Sequence, residues 1–355
     1  MEEQPLANSA SQGEILYIGI DLGTFRCSIC TNRGFQKAIL SLVGWPKDAI
    51  SLRLLQKSII FGEEALENRL MVNLCRPLQK GVLKHTIDDD GSMEEKKEAR
   101  QAAKELINHL VGLAEPRPNE KVYGVIGAPA RASLFNKEAL IEAGRDVLDA
   151  AMVVSEPFTV AYGRDFLKYG IVIDIGGGTT DLCRMHGTIP EEEDQRTVLK
   201  AGDHIDESLY QLLQEKCKEA DLTLNMIRLC KEQHAFVSSF NPGNIVVEFP
   251  VRGKLVSYDI TEEMKRACES IVPDIMEAFR ELVGSFDPEF QASLRNNVIL
   301  AGGSSQTRGL GKLLEESMAD VGGGKVSVVD DPIYAGSSGA LKLATDMPPE
   351  YWQQL

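Results

Sequence analysis

The fold is decided by the stretch Val172-Ile173-Asp174-Ile175-Gly176-Gly177-Gly178-Thr179-Thr180-Asp181, because a shorter form of it, Gly19-Ile20-Asp21-Leu22-Gly23-Thr24, occurs near the start of the chain. Each stretch follows a short apolar run rich in β-branched residues, which predicts a strand, a tight glycine turn and a second strand. An offset of 153 positions separates Asp21 from Asp174 and also Cys30 from Cys183. The sequence therefore predicts two hairpins of matching length, produced by an internal duplication.

Both turns have the chemistry of a phosphate-binding device. Glycine has no Cβ atom, so the backbone N–H groups of such a turn can approach phosphate oxygens closely. An aspartate at the end of the strand can hold Mg²⁺ through water molecules. One such turn alone would be explained as a structural turn between two strands. Two turns at equivalent positions of duplicated hairpins indicate instead a nucleotide that is bound between two halves of the molecule. The chain contains no Gly-x-x-x-x-Gly-Lys-Ser/Thr motif, so this nucleotide site would not be a P-loop.

Composition limits the class of protein and its partners. At 355 residues, 43% of them hydrophobic, the chain is long enough for two domains with cores or for one large bilobed domain. No apolar run approaches the roughly 20 residues of a membrane helix, and the polar, acidic residues 1–14 lack the pattern of a signal peptide. A net charge of −15 disfavours nucleic acid and anionic membranes as direct partners. Seven cysteines without a secretory signal favour reduced thiols in a cytosol.

The first half of the chain alternates strands and helices. We predict an opening meander of strands, then a less regular stretch from 45 to about 90 that suits a small insertion. Apolar residues at steps of three and four predict an amphipathic helix over 93–113. The meander strands are predicted at 15–21, 25–31 and 36–43, a further strand at 122–126, and a helix from about 133 to 150.

The second half continues this pattern. A long helix is predicted from Thr261, and Pro273 should kink or split it. A final helix at 334–344 contains Gly336 and Gly339, and glycine in a helix is unfavourable by about 1 kcal/mol relative to alanine. We therefore expect another helix to cross this one closely, at the base of a cleft.

Two more segments contain candidate site residues. Ser155-Glu156-Pro157 predicts a strand-to-helix junction, with Pro157 in the first turn, where its missing N–H is tolerated. This junction places the Glu156 carboxylate beside the free N–H groups of a helix start, although a capping or surface role would also explain it. The glycine pair Gly302-Gly303 follows a buried strand and would let an adenine ring lie against the backbone, unless it is only a strand-to-helix turn.

Five of these segments occur in the order and spacing of the actin, sugar-kinase and heat-shock-chaperone superfamily. Within it, the sequence resembles the bacterial actins of the MreB and MamK group, and most closely the magnetosome-associated members. The segments are 21–24, 156–163, 174–181, 300–305 and 334–344, and further similar stretches are Val43-Gly44-Trp45-Pro46-Lys47-Asp48, Pro129-Ala130-Arg131-Ala132-Ser133, Lys231-Glu232-Gln233 and Pro348-Pro349-Glu350-Tyr351-Trp352-Gln353-Gln354-Leu355.

The resemblance implies an α/β, actin-like ATPase fold, in which two duplicated ribonuclease-H-like lobes enclose a nucleotide cleft. The expected division is a polar tail at 1–14, lobe I at 15–157 with an insertion at about 45–90, lobe II at 158–330 with an insertion at about 198–258, and a second connecting helix with a C-terminal tail at 331–355.

The resemblance also implies roles for site residues. Asp21 and Asp174 are expected to hold Mg²⁺ through its waters, since ATP brings about four negative charges to two carboxylates. Glu156 and Thr180 are expected to orient the attacking water, with Asp174 and Asp181 assisting. The expected ATP- and ADP-binding residues are Asp21, Gly23, Thr24, Gly176, Gly177, Gly178, Thr179, Gly202, Asp203, Lys231, Glu232, Gly302, Gly303 and Ser304.

The implied function is that of a cytoskeletal ATPase that polymerises with ATP and Mg²⁺ into cytoplasmic filaments and positions magnetosomes. Its expected partners are further copies of itself and magnetosome-associated proteins, without nucleic acid and without direct membrane insertion. Two alternatives share the fold: an MreB-like cell-shape filament at the inner membrane, and a small-molecule kinase. A kinase would need a substrate pocket and a catalytic base beside the γ-phosphate, and the sequence offers no base other than the water-orienting set.

Overall fold

The computed structural model describes residues 15–80, 82–84 and 92–355. The strands in this part of the chain are β1 Ile15–Leu22, β2 Arg26–Thr31, β3 Gln36–Leu40, β4 Val43–Pro46, β5 Ile60–Phe61, β6 Val72–Cys75, β7 Leu78–Gln79, β8 Val82–Leu83, β9 Lys121–Ala128, β10 Ala150–Ser155, β11 Lys168–Ile175, β12 Thr180–His186, β13 Gln195–Val198, β14 Val246–Val251, β15 Lys254–Asp259, β16 Val298–Ala301, β17 Val326–Val328 and β18 Gln353–Gln354. The helices are α1 Ala49–Leu55, α2 Gly62–Glu67, α3 Met93–Leu113, α4 Leu134–Gly144, α5 Glu156–Gly163, α6 Gly202–Lys216, α7 Leu224–His234, α8 Thr261–Glu269, α9 Val272–Gly284, α10 Pro288–Arg295, α11 Leu310–Ser317 and α12 Ala335–Asp346.

Two mixed sheets form the framework. The first sheet has the strand order β18-β10-β9-β1-β2-β3, and the second has the order β13-β12-β11-β16-β17. Helices α3 and α4 cover the outer face of the first sheet, where Leu106 and Leu110 pack against Ile18 and Ile20. Helices α6, α8 and α9 cover the outer face of the second sheet with residues such as Phe279. Helices α5 and α12 contribute to a separate apolar cluster that contains residues of both sheets.

The two predicted hairpins are confirmed, and they share one register. In the first sheet β1 pairs antiparallel with β2, and Asp21 lies opposite Ser28. In the second sheet β11 pairs antiparallel with β12, and Asp174 lies opposite Asp181. Each hairpin also has a parallel neighbour, because β1 pairs with β9 and β11 pairs with β16. The duplication therefore includes the topology around each aspartate as well as the turn.

The predicted close crossing of the last helix is also confirmed, and its partner is α5. A Cβ atom on Gly163 of α5 would lie 2.8 Å from the Cα atom of Gly339 in α12. A Cβ atom on Gly339 would overlap the carbonyl oxygen of Thr159 in α5. On its other side α12 contacts β1, where a Cβ atom on Gly19 would overlap the carbonyl oxygen of Ser337. Backbone contact at these glycines fixes both connecting helices between the sheets.

Two predicted elements end earlier than expected. The predicted strand at 36–43 breaks at Ser41, whose Oγ donates to the carbonyl of Gly23 at 2.6 Å, and the chain then leaves the first sheet. It continues in a small sheet with the order β5-β4-β6. The predicted helix from 133 to 150 ends at Gly144, where the side chain of Leu148 covers Gly124 and Gly144. This packing requires the chain to turn before β10.

Other predictions are confirmed in detail. The helix predicted over 93–113 has those bounds, and Pro273 lies in the first turn of α9, after the break that separates it from α8. The expected tail at 1–14 and the end of the first insertion, at 85–90, lie outside the described residues. The proposed lobe boundaries remain a prediction. Among the helices of the described chain, none combines the length and apolar character needed to cross a membrane.

We expect Gly339→Ala to lower the free energy of unfolding by about 2 kcal/mol or more, because the added methyl group would meet backbone that has no room to move. The matched control is Gly112→Ala in α3, where a Cβ atom would meet nothing within 4 Å. That substitution should raise the free energy of unfolding by up to about 1 kcal/mol, as alanine replaces glycine in a helix. Urea denaturation followed by circular dichroism measures both, and equal effects would contradict the close crossing.

Candidate functional site

The carboxyl ends of β1 and β11 lie on one cleft, which has a volume of about 670 Å³. The cleft collects most of the predicted site. The predicted residues that line it are Asp21, Gly23, Glu156, Asp174, Gly176, Gly177, Gly202, Asp203, Lys231, Glu232, Gly302, Gly303 and Ser304, whereas Thr24, Gly178, Thr179, Thr180 and Asp181 are not part of that lining.

The two glycine turns contact each other, and this contact accounts for some residues outside the lining. A Cβ atom on Gly178 would lie 2.5 Å from the Thr24 hydroxyl, and a Cβ atom on Gly177 would lie 2.8 Å from the Cβ atom of Phe25. Within the second turn, the N–H of Gly176 donates to the carbonyl of Thr179 at 2.9 Å. The glycines therefore bring the two turns together at one end of the cleft, and only part of each turn borders the open space.

The second turn is joined to the start of α6. The N–H of Gly202 donates to the carbonyl of Gly176 at 3.1 Å, and the N–H of Asp203 donates to the carbonyl of Gly177 at 2.7 Å. Thr180, at the start of β12, donates its hydroxyl to the carbonyl of Lys200 at 2.8 Å. These bonds place Gly202 and Asp203 beside the turn, and their role in nucleotide binding stays a prediction.

Four acidic side chains meet where the two sheets approach. Burial raises the pKa of Asp21 to about 6. Burial, together with the charge of Asp21 and then of Asp181, raises the pKa of Asp174 well above its ordinary value. Burial is also the main cause of the raised pKa of Glu156, and the charges of Asp21, Asp181 and Asp174 add to it in that order. The cleft therefore concentrates negative charge that a cation would relieve.

This donor set fits Mg²⁺ held partly by a nucleotide. In the described part of the chain, no group of three or more His, Cys, Asp and Glu side chains is arranged to hold a metal ion by itself. Magnesium typically keeps several waters and uses one or two carboxylates together with substrate phosphates. Asp21 and Asp174, whose charges repel each other across the cleft, are a pair of that kind.

Two glycines make room for these aspartates. Gly302 has a φ of 80°, and a Cβ atom there would overlap a carboxylate oxygen of Asp174. A Cβ atom on Gly336, at the start of α12, would lie 2.6 Å from Oδ2 of Asp21. From the sequence we predicted Gly302 to be in a turn beside adenine, and Gly336 to be in a helix that another helix crosses. We did not predict that both glycines also border the acidic side chains.

Asp181 is outside the cleft lining and is hydrogen-bonded to other parts of the chain. One carboxylate oxygen accepts the N–H of Ala130 at 2.9 Å and the hydroxyl of Thr197 at 2.6 Å. Burial raises its pKa, while the hydrogen bonds from Thr197, Thr179 and Ala130 lower it. Because Ala130 follows β9 of the first sheet, Asp181 ties the two sheets together. Its catalytic role stays a prediction.

Basic residues also line the cleft, and the sequence did not point to all of them. Lys231 donates to the carbonyl of Gly202 at 2.9 Å and pairs with Asp206 at 2.8 Å. Arg228, which also lines the cleft, pairs with Asp206 at 2.9 Å and with Asp203 at 3.1 Å. Arg228 lies three residues before Lys231 on α7, so helical spacing would have placed both on one face.

Comparison with known proteins shows one consistent group of relatives. A family model described as MreB/Mbl protein matches residues 16–349. The actin-like protein MamK of Paramagnetospirillum magneticum AMB-1 is 42% identical over 96% of this chain and 95% of the relative. MamK of Magnetospirillum gryphiswaldense MSR-1 is also 42% identical, over 96% of this chain and 92% of the relative.

Solved structures give the same result. A MamK double helical filament has a TM-score of 0.89 at 41% identity, and the match covers 94% of this chain and 100% of the other. A non-polymerising MamK variant bound to AMPPNP has a TM-score of 0.71 at 40% identity, with 94% and 99% of the chains covered. The described conformation is thus more similar to the filament than to that variant.

We expect Asp21→Asn to raise the melting temperature of the nucleotide-free protein in EDTA at pH 7.5. A carboxyl whose pKa is raised on folding destabilises the fold fully above its folded pKa, here about 6, and not at all below its unfolded pKa near 3.8. At pH 7.5 the penalty is at most about 3 kcal/mol, which corresponds to a rise of at most about 4 °C for a chain of this length.

The stabilisation by Asp21→Asn should shrink progressively as the pH falls from about 6 towards 4. The control is Asp330→Asn, since the Asp330 side chain is 97% exposed, and it should change the melting temperature little at any pH. Differential scanning fluorimetry across this pH range measures both variants. A destabilised Asp21→Asn protein at pH 7.5 would contradict the electrostatic interpretation.

Proposed function

Because the chain belongs to the MreB/Mbl family, we propose that it is an actin-like ATPase that assembles with ATP and Mg²⁺ into filaments and positions magnetosomes. Its fold is the actin-like α/β fold. The observation that supports the proposal most strongly is the pair of aspartate hairpins, which have one register and lie at one cleft.

The cleft offers groups for each part of ATP. The N–H groups of Gly23 and Gly177, which line the cleft, would bind phosphate oxygens, since glycine lets the backbone approach a ligand closely. Thr24 and Gly178 are phosphate-binding candidates from the sequence alone, because they lie outside that lining. Lys231, Glu232 and the Gly302-Gly303 turn would surround the ribose and the adenine. AMPPNP binding by the MamK variant supports this assignment. The cleft volume of about 670 Å³ is within the usual range for small-molecule sites.

Asp21 and Asp174 would hold Mg²⁺ through water. When bound, the ion would supply positive charge to the β- and γ-phosphates and to the leaving group. The two carboxylates come from equivalent positions in the duplicated hairpins and face the cleft from opposite sheets. Gly336 and Gly302 leave room for them, because a larger side chain at either position would occupy the space of a carboxylate.

Glu156 would orient the attacking water, together with Thr180. Glu156 is the first residue of α5, directly after β10, and its side chain borders the cleft. Burial is the main cause of its raised pKa, and the charges of Asp21, Asp181 and Asp174 add to it.

Assembly of this chain into filaments is proposed from its relatives. Copies that join head to tail by a contact that does not close form open filaments, and the MamK filament structures demonstrate such polymers for proteins about 41% identical to this one. The proposed location is the cytoplasm, beside magnetosomes, which the filament would reach through other proteins. The net charge of −15 supports an indirect attachment, since an anionic leaflet repels an acidic surface.

Sedimentation tests the proposed assembly. Purified protein should pellet at high speed with ATP and Mg²⁺ and stay in the supernatant with EDTA, and electron microscopy of the pellet should show filaments. A small-molecule kinase would hydrolyse or transfer phosphate without pelleting. Protein that binds ATP and remains unassembled across a wide concentration range would contradict the filament proposal.

We expect Glu156→Ala to slow ATP hydrolysis on the order of 10²-fold or more, because the variant loses the group that positions water. ATP binding and assembly should remain largely intact, so its filaments should persist after wild-type filaments have disassembled. Phosphate release and light scattering, recorded together, measure the two effects separately. Glu156→Gln keeps the side-chain volume and serves as the second variant. Normal phosphate release from both would remove Glu156 from the mechanism.

A further inference from the structure

An arginine from the small insertion of the first half reaches across the cleft to the second half. Arg76 follows β6 and donates Nη1 to Oδ2 of Asp203, in the first turn of α6, at 3.3 Å. The other carboxylate oxygen of Asp203 accepts Nη2 of Arg228 at 3.1 Å. Asp203 therefore joins one guanidinium from each half of the molecule.

The ring of Phe25 lies close to both of these guanidinium groups. The Cζ atom of Arg228 is 4.6 Å from the ring centroid, and the Cζ atom of Arg76 is 5.7 Å from it, both within the range of cation–π attraction. Phe25 directly follows the first glycine turn, and its Cβ atom is packed against Gly177 of the second turn. The ring thus belongs to the first half of the molecule and contacts Arg76 of the first half and Arg228 of the second.

The chain that follows Arg76 lies over the second glycine turn. A Cβ atom on Gly178 would be 2.9 Å from the Cα atom of Lys80, so the backbone at residue 80 is in contact with this turn. Together with the Arg76 to Asp203 pair, this contact spans the cleft at the end where the phosphates would lie. Separation of the two halves at this end requires both contacts to break.

We infer that Arg76 is a positioning residue that latches the two halves across the nucleotide cleft, through Asp203 and the Phe25 ring, and thereby slows nucleotide release. The inference rests on the proposed function, since it assumes that ATP or ADP binds in this cleft. The side chains of Arg76 and Asp203 are 22% and 30% exposed, so solvent screens the pair only in part. The effect on release should therefore be moderate and should weaken with added salt.

The test measures the release of mant-ATP by stopped flow, with excess unlabelled ATP and at a protein concentration too low for assembly. Arg76→Met retains much of the side-chain length without the charge, and it should release mant-ATP about tenfold faster, which corresponds to about 1.4 kcal/mol. The control is Arg69→Met in the same insertion, since Arg69 is exposed and its side chain, within the described part of the chain, donates to the nearby carbonyl of Leu66. Its release rate should stay within about twofold of wild type.

A double-mutant cycle identifies the partner. In an Asp203→Asn background, Arg76→Met should accelerate release by less than about twofold, because the pair is already broken. Phe25→Leu removes the aromatic ring but retains apolar volume, and it should accelerate release about threefold. Added salt should accelerate release from the wild type more than from Arg76→Met.

The possible failures are distinguishable. A wild-type protein that does not bind mant-ATP would make both the proposed function and the latch wrong. A wild-type protein that binds it, with unchanged release from Arg76→Met, would overturn the latch alone. A full tenfold effect of Arg76→Met in the Asp203→Asn background would also overturn the latch, because Arg76 would then act without Asp203.

Discussion

Repulsion among buried acidic side chains constrains the packing and the hydrogen bonding around the cleft. Asp21, Asp174, Asp181 and Glu156 come from both halves of the molecule, and burial raises the pKa of each of them. Such a cluster opposes folding at neutral pH unless a cation or a network of donors offsets it. The protein itself provides donors for Asp181, which accepts an N–H and a hydroxyl. Asp21 and Asp174 face the cleft instead, where bound Mg²⁺ would offset their charge.

The backbone is arranged around this acidic cluster. Helices α5 and α12 lie between the two sheets and touch at Gly163 and Gly339. The same two helices begin at the cleft, where α5 presents Glu156 and α12 presents Gly336 to Asp21. A change in the crossing would therefore move a candidate catalytic side chain and the wall of the proposed magnesium site together. The helix packing at the centre of the molecule and the geometry of the cleft therefore depend on each other.

The sequence predicts what is repeated or periodic. Asp21 and Asp174 are recognisable because the same turn recurs with one offset, and α3 is recognisable from its apolar spacing over 93–113. The misjudged ends depend on contacts between distant residues, such as Ser41 with Gly23, which redirects the strand, and Leu148 with Gly124. Contacts at the site are equally long-range, since no local sequence pattern indicates that Arg76 pairs with Asp203. Such pairs are defined only by the folded topology.

The duplication produces a symmetric cradle, but the residues beside it are not symmetric. In the first hairpin the residue opposite Asp21 is Ser28, which bonds to Ser337 of α12 at 2.8 Å. In the second hairpin the residue opposite Asp174 is Asp181, which bonds to the loop after β9. The first half thus anchors a connecting helix at this position, and the second half places an acidic group near Glu156. Equivalent backbones therefore hold different side chains, and only the second hairpin places two carboxylates opposite each other. In the proposed site, the duplication would thus provide two similar phosphate-binding turns with an unequal distribution of acidic groups around them.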